Sequence, residues 1–390
     1  MKRAPKRKSV NGMDAARLAR LMDVVHEDMA QDRYYGMQIA IGRHGKLSLH
    51  EAVGYADPAR KRPVKKDSVF SLFSVTKAIT VVLVLRAIER GEFSLATPIS
   101  TLVPEFSGHG REKITIFHLL THSSGLPSVY SAREGMFIDV LDEVIAEICK
   151  NIVPMEAPGL GVRYAPIVHH ALLGDVLRRI DKRKRSYRQI VEEDLLKPLG
   201  MRDSSIGLRK DLRKRHLFPE FRGNSPTQHL GHSNLGPNGA FSEEKAEMPW
   251  VGMVSTAADM YRFAEMLRRG GELDGARILS PTMIERAHTC WTGDKPNELY
   301  RKIFESRGWE VLPAYIGLGF TLRGDRMGHA LFGTLTSPET FGNHGAGTTI
   351  FWIDPKLDMT FVGLSTGVMN SDVNLERWER LSDLAVAAAT

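Results

Sequence analysis

The spacing of hydrophobic residues changes along the chain and divides it into elements of different type. Near the N-terminus apolar residues recur every three or four positions, which predicts an amphipathic helix over residues 14–31. Two short runs that alternate apolar and polar residues follow, 37–43 and 47–53, and His44-Gly45-Lys46 separates them. Because successive side chains of a strand point to opposite faces, these runs predict a β-hairpin.

Helices continue through the middle of the chain, and strands return near its C-terminus. The apolar run 69–88 predicts a helix that ends near Gly91, and the polar stretch 203–239 predicts a loop because it contains several Gly, Pro and Asn residues. Further helices are predicted over residues 115–121, 140–150, 169–179, 187–196, 255–269 and 374–388. Further strands are predicted over residues 317–322, 348–353 and 359–364, with a turn at Asp354-Pro355-Lys356. This order indicates an α+β fold with a helical lobe and an antiparallel sheet built from both ends of the chain.

The composition is that of a globular protein. Of the 390 residues, 42% are hydrophobic and 25% are charged, which excludes disorder as the main state and a fibrous repeat. Apolar runs stay well below the roughly 18 residues of a transmembrane helix, and the basic N-terminus lacks the apolar segment of a secretory signal. Two cysteines, Cys149 and Cys290, cannot build a disulfide framework. We therefore expect a cytoplasmic protein with no membrane contact.

The formal net charge of +7 raises the question of a nucleic-acid partner. Much of the excess charge lies in the N-terminal arm, residues 2–8, and in the run 178–185. Neither run is interleaved with aromatic residues that could stack on bases. We therefore interpret both runs as solvated surface and expect no nucleic-acid partner.

Ser74-Val75-Thr76-Lys77 is the sharpest chemical feature of the sequence. A serine and a lysine three positions apart on a helix lie on the same face. The serine hydroxyl is a poor nucleophile until a base takes its proton, and a lysine can do so once burial lowers its pKa. The apolar residues on both sides predict that the pair lies in a buried helix. S-x-x-K also occurs by chance, with a capping serine and a surface lysine as the alternative.

Five further motifs follow this pair in a fixed order. They are His118-Leu119-Leu120-Thr121-His122-Ser123-Ser124-Gly125-Leu126-Pro127, Pro198-Leu199-Gly200-Met201, Gly252-Met253-Val254-Ser255-Thr256-Ala257-Ala258-Asp259, Gly317-Leu318-Gly319-Phe320 and Phe341-Gly342-Asn343-His344-Gly345-Ala346-Gly347. In this order the chain resembles the serine β-lactamase-like superfamily, in particular the class C β-lactamase-related carboxylesterases and transesterases. The resemblance runs from about Ala15 to the C-terminal helix.

The resemblance implies a β-lactamase/penicillin-binding-protein-like fold in one bilobal unit. Residues 1–72 and 212–390 would form the sheet lobe, with helices flanking the antiparallel sheet. Residues 73–211 would form the all-helical lobe, and the active site would lie between the two lobes.

The resemblance also implies catalytic roles for three side chains. Ser74 would be the acylated nucleophile and Lys77 its hydrogen-bonded partner. The second family element, normally Tyr-x-Asn after a Pro-Gly turn, is matched by Tyr164-Ala165-Pro166. A tyrosinate-like oxygen on Tyr164 would accept the serine proton and pass it to the leaving group. Pro166 replaces the asparagine.

The third family element is usually Lys-Thr-Gly, and Asn343-His344-Gly345 matches it here as the substrate-binding strand. In this register the backbone N–H groups of Ser74 and Ala346 form the oxyanion hole. A shift by one residue gives His344-Gly345-Ala346, which loses the terminal glycine of the element.

These departures from the family pattern bear on the substrate. Asn343 cannot supply the cation that binds the carboxylate of β-lactams and of peptidyl-D-alanine, and Pro166 lacks the amide that holds an acylamido group. A partly cationic His344 near pH 6–7 would restore some of that attraction. The expected function is a serine hydrolase that cleaves a small-molecule carboxylic ester, short-chain or aromatic, without a cofactor. The alternatives are an acyltransferase using the same acyl-enzyme, a D-amino-acid amidase or weak β-lactamase, and a non-catalytic binding protein of the same fold.

Several other residues are candidates of lower interest. His169 and His170 match no metal-site spacing, so no metal is expected. His118 and His122 lie in a motif that is structural in the superfamily, and Cys149 is interpreted as a core residue. Three aromatic residues either line an acyl pocket or pack in the core, namely Tyr130, Trp250 and Trp352.

Overall fold

The structure is a computed structural model that describes residues 9–57, 59, 61–133, 136, 138–223 and 240–390. Helices α1 to α11 are Ala15–Ala30, Thr76–Glu89, Ile99–Leu102, Ile116–Leu120, Leu141–Asn151, Val168–Ile180, Tyr187–Val191, Ala257–Arg268, Pro281–Ala287, Glu298–Ser306 and Ser371–Ala387. Strands β1 to β16 are Ser9–Val10, Met13–Asp14, Gly36–Arg43, Lys46–Gly54, Val69–Ser71, Ser205–Ile206, His216–Leu217, Glu220–Phe221, Met253–Ser255, Glu272–Leu273, Ala276–Arg277, Thr321–Leu322, Phe341–Gly345, Thr349–Asp354, Met359–Ser365 and Gly367–Val368.

The main sheet has the strand order β12-β13-β14-β15-β3-β4, and each pair in it is antiparallel. Strands β3 and β4 form the predicted hairpin, and β3 pairs with β15 from Arg43↔Met359 to Met37↔Ser365. The beginning and the end of the chain therefore meet in one sheet, as the sequence predicts.

Strands β3 and β15 are buried on both faces, and alternate residues enter two separate cores. Ile39 and Phe361 face the core that holds α1 and α11, whereas Ala40 and Val362 face the larger core that extends to α2. The two-residue period of a strand produces this division. Helices α1 and α11 thus cover one face of the sheet, and α8 packs against the other through Phe263 and Phe351.

Helix α2 is buried along almost its whole surface, which explains its apolar sequence. Its residues from Thr76 to Leu85 are all buried, and it packs mainly against α6. A helix that is hydrophobic on all sides requires neighbours on all sides. Lys77 lies in the first turn of this buried helix, and Ser74 lies on the short turn that precedes it.

Three sequence predictions of secondary structure are wrong in part. Residues 69–71 form strand β5 instead of helix, because Phe70 pairs with Ser255 of β9. The stretch 203–239 contains the short strands β6, β7 and β8, and its residues 224–239 lie outside the described part. The strand predicted over 317–322 is reduced to β12, because Gly319 adopts a left-handed φ of +80° in a tight turn. The proposed lobe boundaries remain a prediction.

Within the described ranges, none of the helices combines the length and the apolar character needed to cross a membrane.

Candidate active site

Ser74 lies on a short 3₁₀ turn, Phe73–Val75, that joins β5 to α2. Leu72, the residue before the turn, is anchored by hydrogen bonds at both of its backbone polar groups. Its N–H donates to Met253 O at 2.9 Å, and its carbonyl accepts from Thr349 Oγ1 at 2.7 Å. Phe73 adopts a left-handed φ of +50°, a strained conformation for a bulky residue. The fold therefore holds the half-buried serine in a sharply bent, fixed backbone.

The structure brings together the three residues predicted to carry out the chemistry. Lys77 Nζ donates to Ser74 Oγ at 2.9 Å, and Tyr164 Oη donates to the same oxygen at 2.8 Å. Lys77 Nζ also donates to the carbonyl oxygen of Trp250 at 2.9 Å, so two acceptors hold the amine in place. The serine oxygen thus lies between an amine and a phenol.

Burial determines the protonation of both partners of the serine. It lowers the pKa of Lys77 well below the ordinary range of lysine, which favours the neutral amine. Burial likewise raises the pKa of Tyr164, and the hydrogen bond with Ser74 offsets only part of that rise. The sequence-based expectation of a tyrosinate-like oxygen is therefore not supported, and Lys77 is the better base.

The third predicted element is strand β13, which passes beside the serine turn. A Cβ on Gly345 would lie 3.0 Å from Phe73 Cβ and 2.5 Å from Thr349 Oγ1, so only glycine permits this approach. The next residue, Ala346, is half-buried and packs in a small cluster that includes Phe73 and Val368. The strand end thus meets the turn that carries Ser74.

Asn343 and His344 have different surroundings although they are adjacent. The side-chain amide of Asn343 is hydrogen-bonded to backbone groups. Its Nδ2 donates to Gly319 O at 3.1 Å, and its Oδ1 accepts from Thr321 N at 3.3 Å. His344 Nε2 lies 2.8 Å from Tyr300 Oη and faces the same cavity as Ser74. Burial lowers the pKa of His344 to about 4. The expectation of a partly cationic histidine near pH 6–7 is therefore wrong.

The cavity beside Ser74 extends between β12, β13 and the segment from α10 to residue 332. Its apolar lining includes Phe304, Leu312, Leu322, Leu331 and Phe332. Two arginines also border it, and both are engaged by protein groups. These are Arg301, 3.0 Å from a carboxylate oxygen of Glu298, and Arg323, which donates to the carbonyls of Gly333 and Arg326 at 2.7 Å each.

Three functional contributors were missed by sequence reasoning. Tyr300 comes from α10, which the helical spacing of apolar residues over 299–304 would have indicated. His122, interpreted as structural, contacts the Tyr164 ring with centroids 4.9 Å apart. The carbonyl of Trp250 carries no sequence signal at all, because backbone groups are common to all residues.

The side chains of the remaining sequence candidates lie outside the chemistry. Trp250 and Trp352 are fully buried core residues, and Cys149 packs at the edge of the larger core. Tyr130 is half-buried and is absent from the described lining of the cavity. His118 accepts from Thr115 N at 3.1 Å and stabilises the start of α4. In the described part of the chain, His, Cys, Asp and Glu form no group suited to a metal ion.

Comparison with known proteins agrees with this geometry. The family model described as Beta-lactamase matches residues 21–385. Esterase EstB of Burkholderia gladioli is 32% identical over 289 residues, which cover 66% of this chain and 71% of the relative.

Two solved structures share the fold. A family VIII carboxylesterase superposes with a TM-score of 0.77 at 20% identity, covering 98% of this chain and 100% of the other. A penicillin-binding protein homologue from Caulobacter crescentus gives 0.77 at 24% identity, with the same coverage of 98% and 100%. These similarities confirm the predicted α+β, β-lactamase/penicillin-binding-protein-like fold. Because the family model spans nearly the whole chain, the protein belongs to the Beta-lactamase family.

Proposed function

We propose that the protein is a serine hydrolase that cleaves carboxylic esters, of the EC 3.1.1 type, through an acyl-enzyme on Ser74. The arrangement that carries the proposal is a single serine oxygen 2.9 Å from a buried lysine amine and 2.8 Å from a tyrosine hydroxyl. The similarity to an esterase over two thirds of the chain supports the reaction class.

Acylation begins with attack of Ser74 Oγ on the ester carbonyl. The neutral amine of Lys77 accepts the serine proton as the new C–O bond forms, which activates an otherwise weak nucleophile. When the tetrahedral intermediate collapses, the Tyr164 hydroxyl donates its proton to the departing alkoxide and regains one from Lys77. The alcohol leaves, and the acyl group remains on Ser74.

The oxyanion of this intermediate is held by the backbone N–H groups of Ser74 and Ala346. The close approach of Gly345 to the serine turn supports this assignment, because it brings the end of β13 beside Phe73. Each donor of this kind contributes about 2.7–4 kcal/mol at the barrier.

Deacylation repeats the sequence with water in place of the alcohol. Lys77 accepts a proton from the attacking water, and Ser74 Oγ regains a proton as the acid departs. The reaction needs no redox step, and we propose no cofactor and no metal for it.

The preferred substrate is an uncharged ester. In place of the family lysine stands Asn343, whose amide is bound to backbone groups, and burial lowers the pKa of His344 to about 4, which favours its neutral form. Pro166 is buried directly before α6 and offers no amide hydrogen to a substrate. A substrate carboxylate would therefore find no replacement for the family cation at these positions.

An ester and amide panel tests the proposal. We expect wild type to turn over p-nitrophenyl acetate and butyrate, Ser74→Ala to lose this activity, and a fluorophosphonate probe to label Ser74 in mass mapping. Unlabelled Ser74 or full activity in Ser74→Ala would refute the hydrolase and leave the binding-protein alternative. Turnover of nitrocefin comparable to that of the esters would favour the β-lactamase alternative, and more product ester than acid with added alcohol would favour the acyltransferase.

Ion pairing supports the proposal that nucleic acid is not a partner. In the basic run 178–185, Arg178 lies 2.6 Å from carboxylate oxygens of Asp142 and Asp175, and Arg185 lies 2.7 Å from Asp181. These two arginines are thus directed toward protein carboxylates. Retention on heparin at 150 mM salt would contradict this reading.

We also propose a cytoplasmic location. Its support is that Cys149 and Cys290 are both free thiols, which suits a reducing compartment. Fractionation of the source cells, with activity in the periplasmic or secreted fraction as the contrary result, tests it.

A further inference from the structure

Tyr164 lies in an irregular segment that His122 contacts repeatedly. Residues 163–167 form neither helix nor strand, so contacts from elsewhere must hold the tyrosine hydroxyl on Ser74. His122 contacts this segment at three consecutive positions. Its carbonyl accepts from Arg163 N at 2.8 Å, its ring packs on Tyr164 with centroids 4.9 Å apart, and its Nδ1 accepts from Ala165 N at 3.5 Å.

A chain of hydrogen bonds behind His122 fixes which of its nitrogens accepts. His122 Nδ1 lies 2.7 Å from His169 Nδ1, and His169 Nε2 lies 2.7 Å from Ser124 Oγ. Ala165 N–H is directed at His122 Nδ1, and on this contact we assign that nitrogen as an acceptor and His169 Nδ1 as the donor. His169 Nε2 then accepts from the Ser124 hydroxyl, whose oxygen in turn accepts from Leu126 N at 3.1 Å. In this arrangement the hydrogens on His169 Nδ1 and Ser124 Oγ both have acceptors.

The surroundings keep this arrangement neutral and strained. Burial, with His169 and Lys77 as further causes, lowers the pKa of His122 well below its ordinary value, and burial lowers that of His169 to about 3. His122 also adopts a left-handed φ of +54°, which costs energy in a residue other than glycine. The fold thus holds His122, which contacts the tyrosine segment, in a strained backbone conformation.

We propose that His122, oriented by His169 and Ser124, is a positioning residue that holds the Tyr164 hydroxyl on Ser74 Oγ. The inference rests on the proposed function, in which Tyr164 transfers a proton. A catalytic group displaced by about 1 Å loses on the order of 100-fold in rate. The effect of His122 through Tyr164 falls on kcat, and KM is measured beside it because His122 also borders the cavity next to Ser74.

Two substitutions at His122 separate its acceptor from its ring. His122→Asn keeps an acceptor oxygen close to the place of Nδ1 and tolerates the left-handed conformation. His122→Phe keeps a ring against Tyr164 but has no acceptor. With p-nitrophenyl butyrate we expect His122→Phe to lower kcat by about 10- to 100-fold with KM unchanged, whereas His122→Asn stays within about threefold of wild type. Equal losses in the two variants would overturn the proposal.

A double-mutant cycle with Tyr164→Phe tests whether the effect passes through the tyrosine. If it does, the double variant His122→Phe/Tyr164→Phe is no slower than Tyr164→Phe alone, because the positioned hydroxyl is already gone. Multiplied losses would show that His122 acts elsewhere and overturn the positioning role, with the proposed function intact. Full activity of Tyr164→Phe would instead refute the proton route of the proposed function, and the positioning role with it.

A milder variant covers the case in which His122→Phe does not fold. Ser124→Ala removes the donor that orients His169, and we expect kcat to fall about fivefold, the effect of one hydrogen bond. The matched control is Ser123→Ala, a buried hydroxyl of the same segment that bonds to Thr121 at 2.8 Å and stands outside the chain. Equal kcat in the two folded variants would overturn the proposal.

Discussion

Substitution of Gly345 by alanine is the most direct test of how the strand and the serine turn form one site. The added Cβ would lie 2.5 Å from Thr349 Oγ1 and closer still to the carbonyl oxygen of Leu72. Real Cβ atoms essentially never come within 3.0 Å of another heavy atom, so strand and turn must separate by at least about half an ångström. Both groups belong to the anchors of the turn that carries Ser74.

We expect this separation to lower both kcat and the free energy of unfolding. A shift of this size moves Ala346 N–H away from the carbonyl oxygen that it is proposed to bind. Losing one such donor costs about 100- to 1000-fold, so a partial displacement costs on the order of 10- to 100-fold in kcat. Overpacking adds about 1–3 kcal/mol of lost folding free energy.

The assay compares kcat for p-nitrophenyl butyrate per folded molecule, with denaturant unfolding measured in parallel. Gly363→Ala is the matched control, because its Cβ would lie 2.5 Å from the Trp378 ring on the opposite face of the same sheet. We expect that control to lose stability and to keep its kcat. If Gly345→Ala keeps kcat within about threefold of wild type while folded, the approach of β13 does not build the oxyanion site.

Three further outcomes follow from the same geometry. The value of kcat/KM should fall as the pH drops through the depressed pKa of Lys77, because protonation removes the base. A profile measured from pH 5 to 10 whose acid limb lies near the ordinary lysine pKa of about 10.4 would contradict this expectation. Tyr300→Phe removes the hydroxyl 2.8 Å from His344 Nε2 and should raise KM about fivefold with little change in kcat; an unchanged KM would place the pair outside ester binding. Asp14→Ala removes the cap that accepts from the N–H groups of Ala16 and Arg17, and should cost about 1 kcal/mol in urea unfolding without affecting turnover.

Local patterns predict most of the longer elements of this fold. The hairpin of β3 and β4 follows from two alternating runs, and α1 follows from the helical spacing of its apolar residues. Local patterns fail where a distant strand decides the conformation. Residues 69–71 have the composition of a helix start, yet pairing with β9 and β7 makes them a strand. Tertiary hydrogen bonds outweigh propensity there.

The candidate site likewise contains some residues that the sequence predicts and others that it does not. Ser74 and Lys77 are neighbours on one helical turn, so their spacing in the sequence suffices to predict the contact of 2.9 Å. Tyr164 was located by the Pro-Gly turn before it and by resemblance. Tyr300 and His122 could not be assigned, because their roles depend on which distant segment packs against the catalytic residues.

The protonation of the site links its architecture to its preferred substrate. Burial lowers the pKa of Lys77 and of His344 and raises the pKa of Tyr164 and of Tyr300, so each of the four is driven toward its neutral form. A neutral ester need not displace a charge from these four groups, whereas a carboxylate loses its hydration and finds only Arg301 and Arg323, which protein groups already engage. The first full charges appear when Ser74 attacks, on the oxyanion and on Lys77. The site can interact with those charges only once the reaction has begun, so the interactions stabilise the transition state and not the bound substrate. Such interactions raise kcat, whereas interactions already present with the bound substrate would only lower KM.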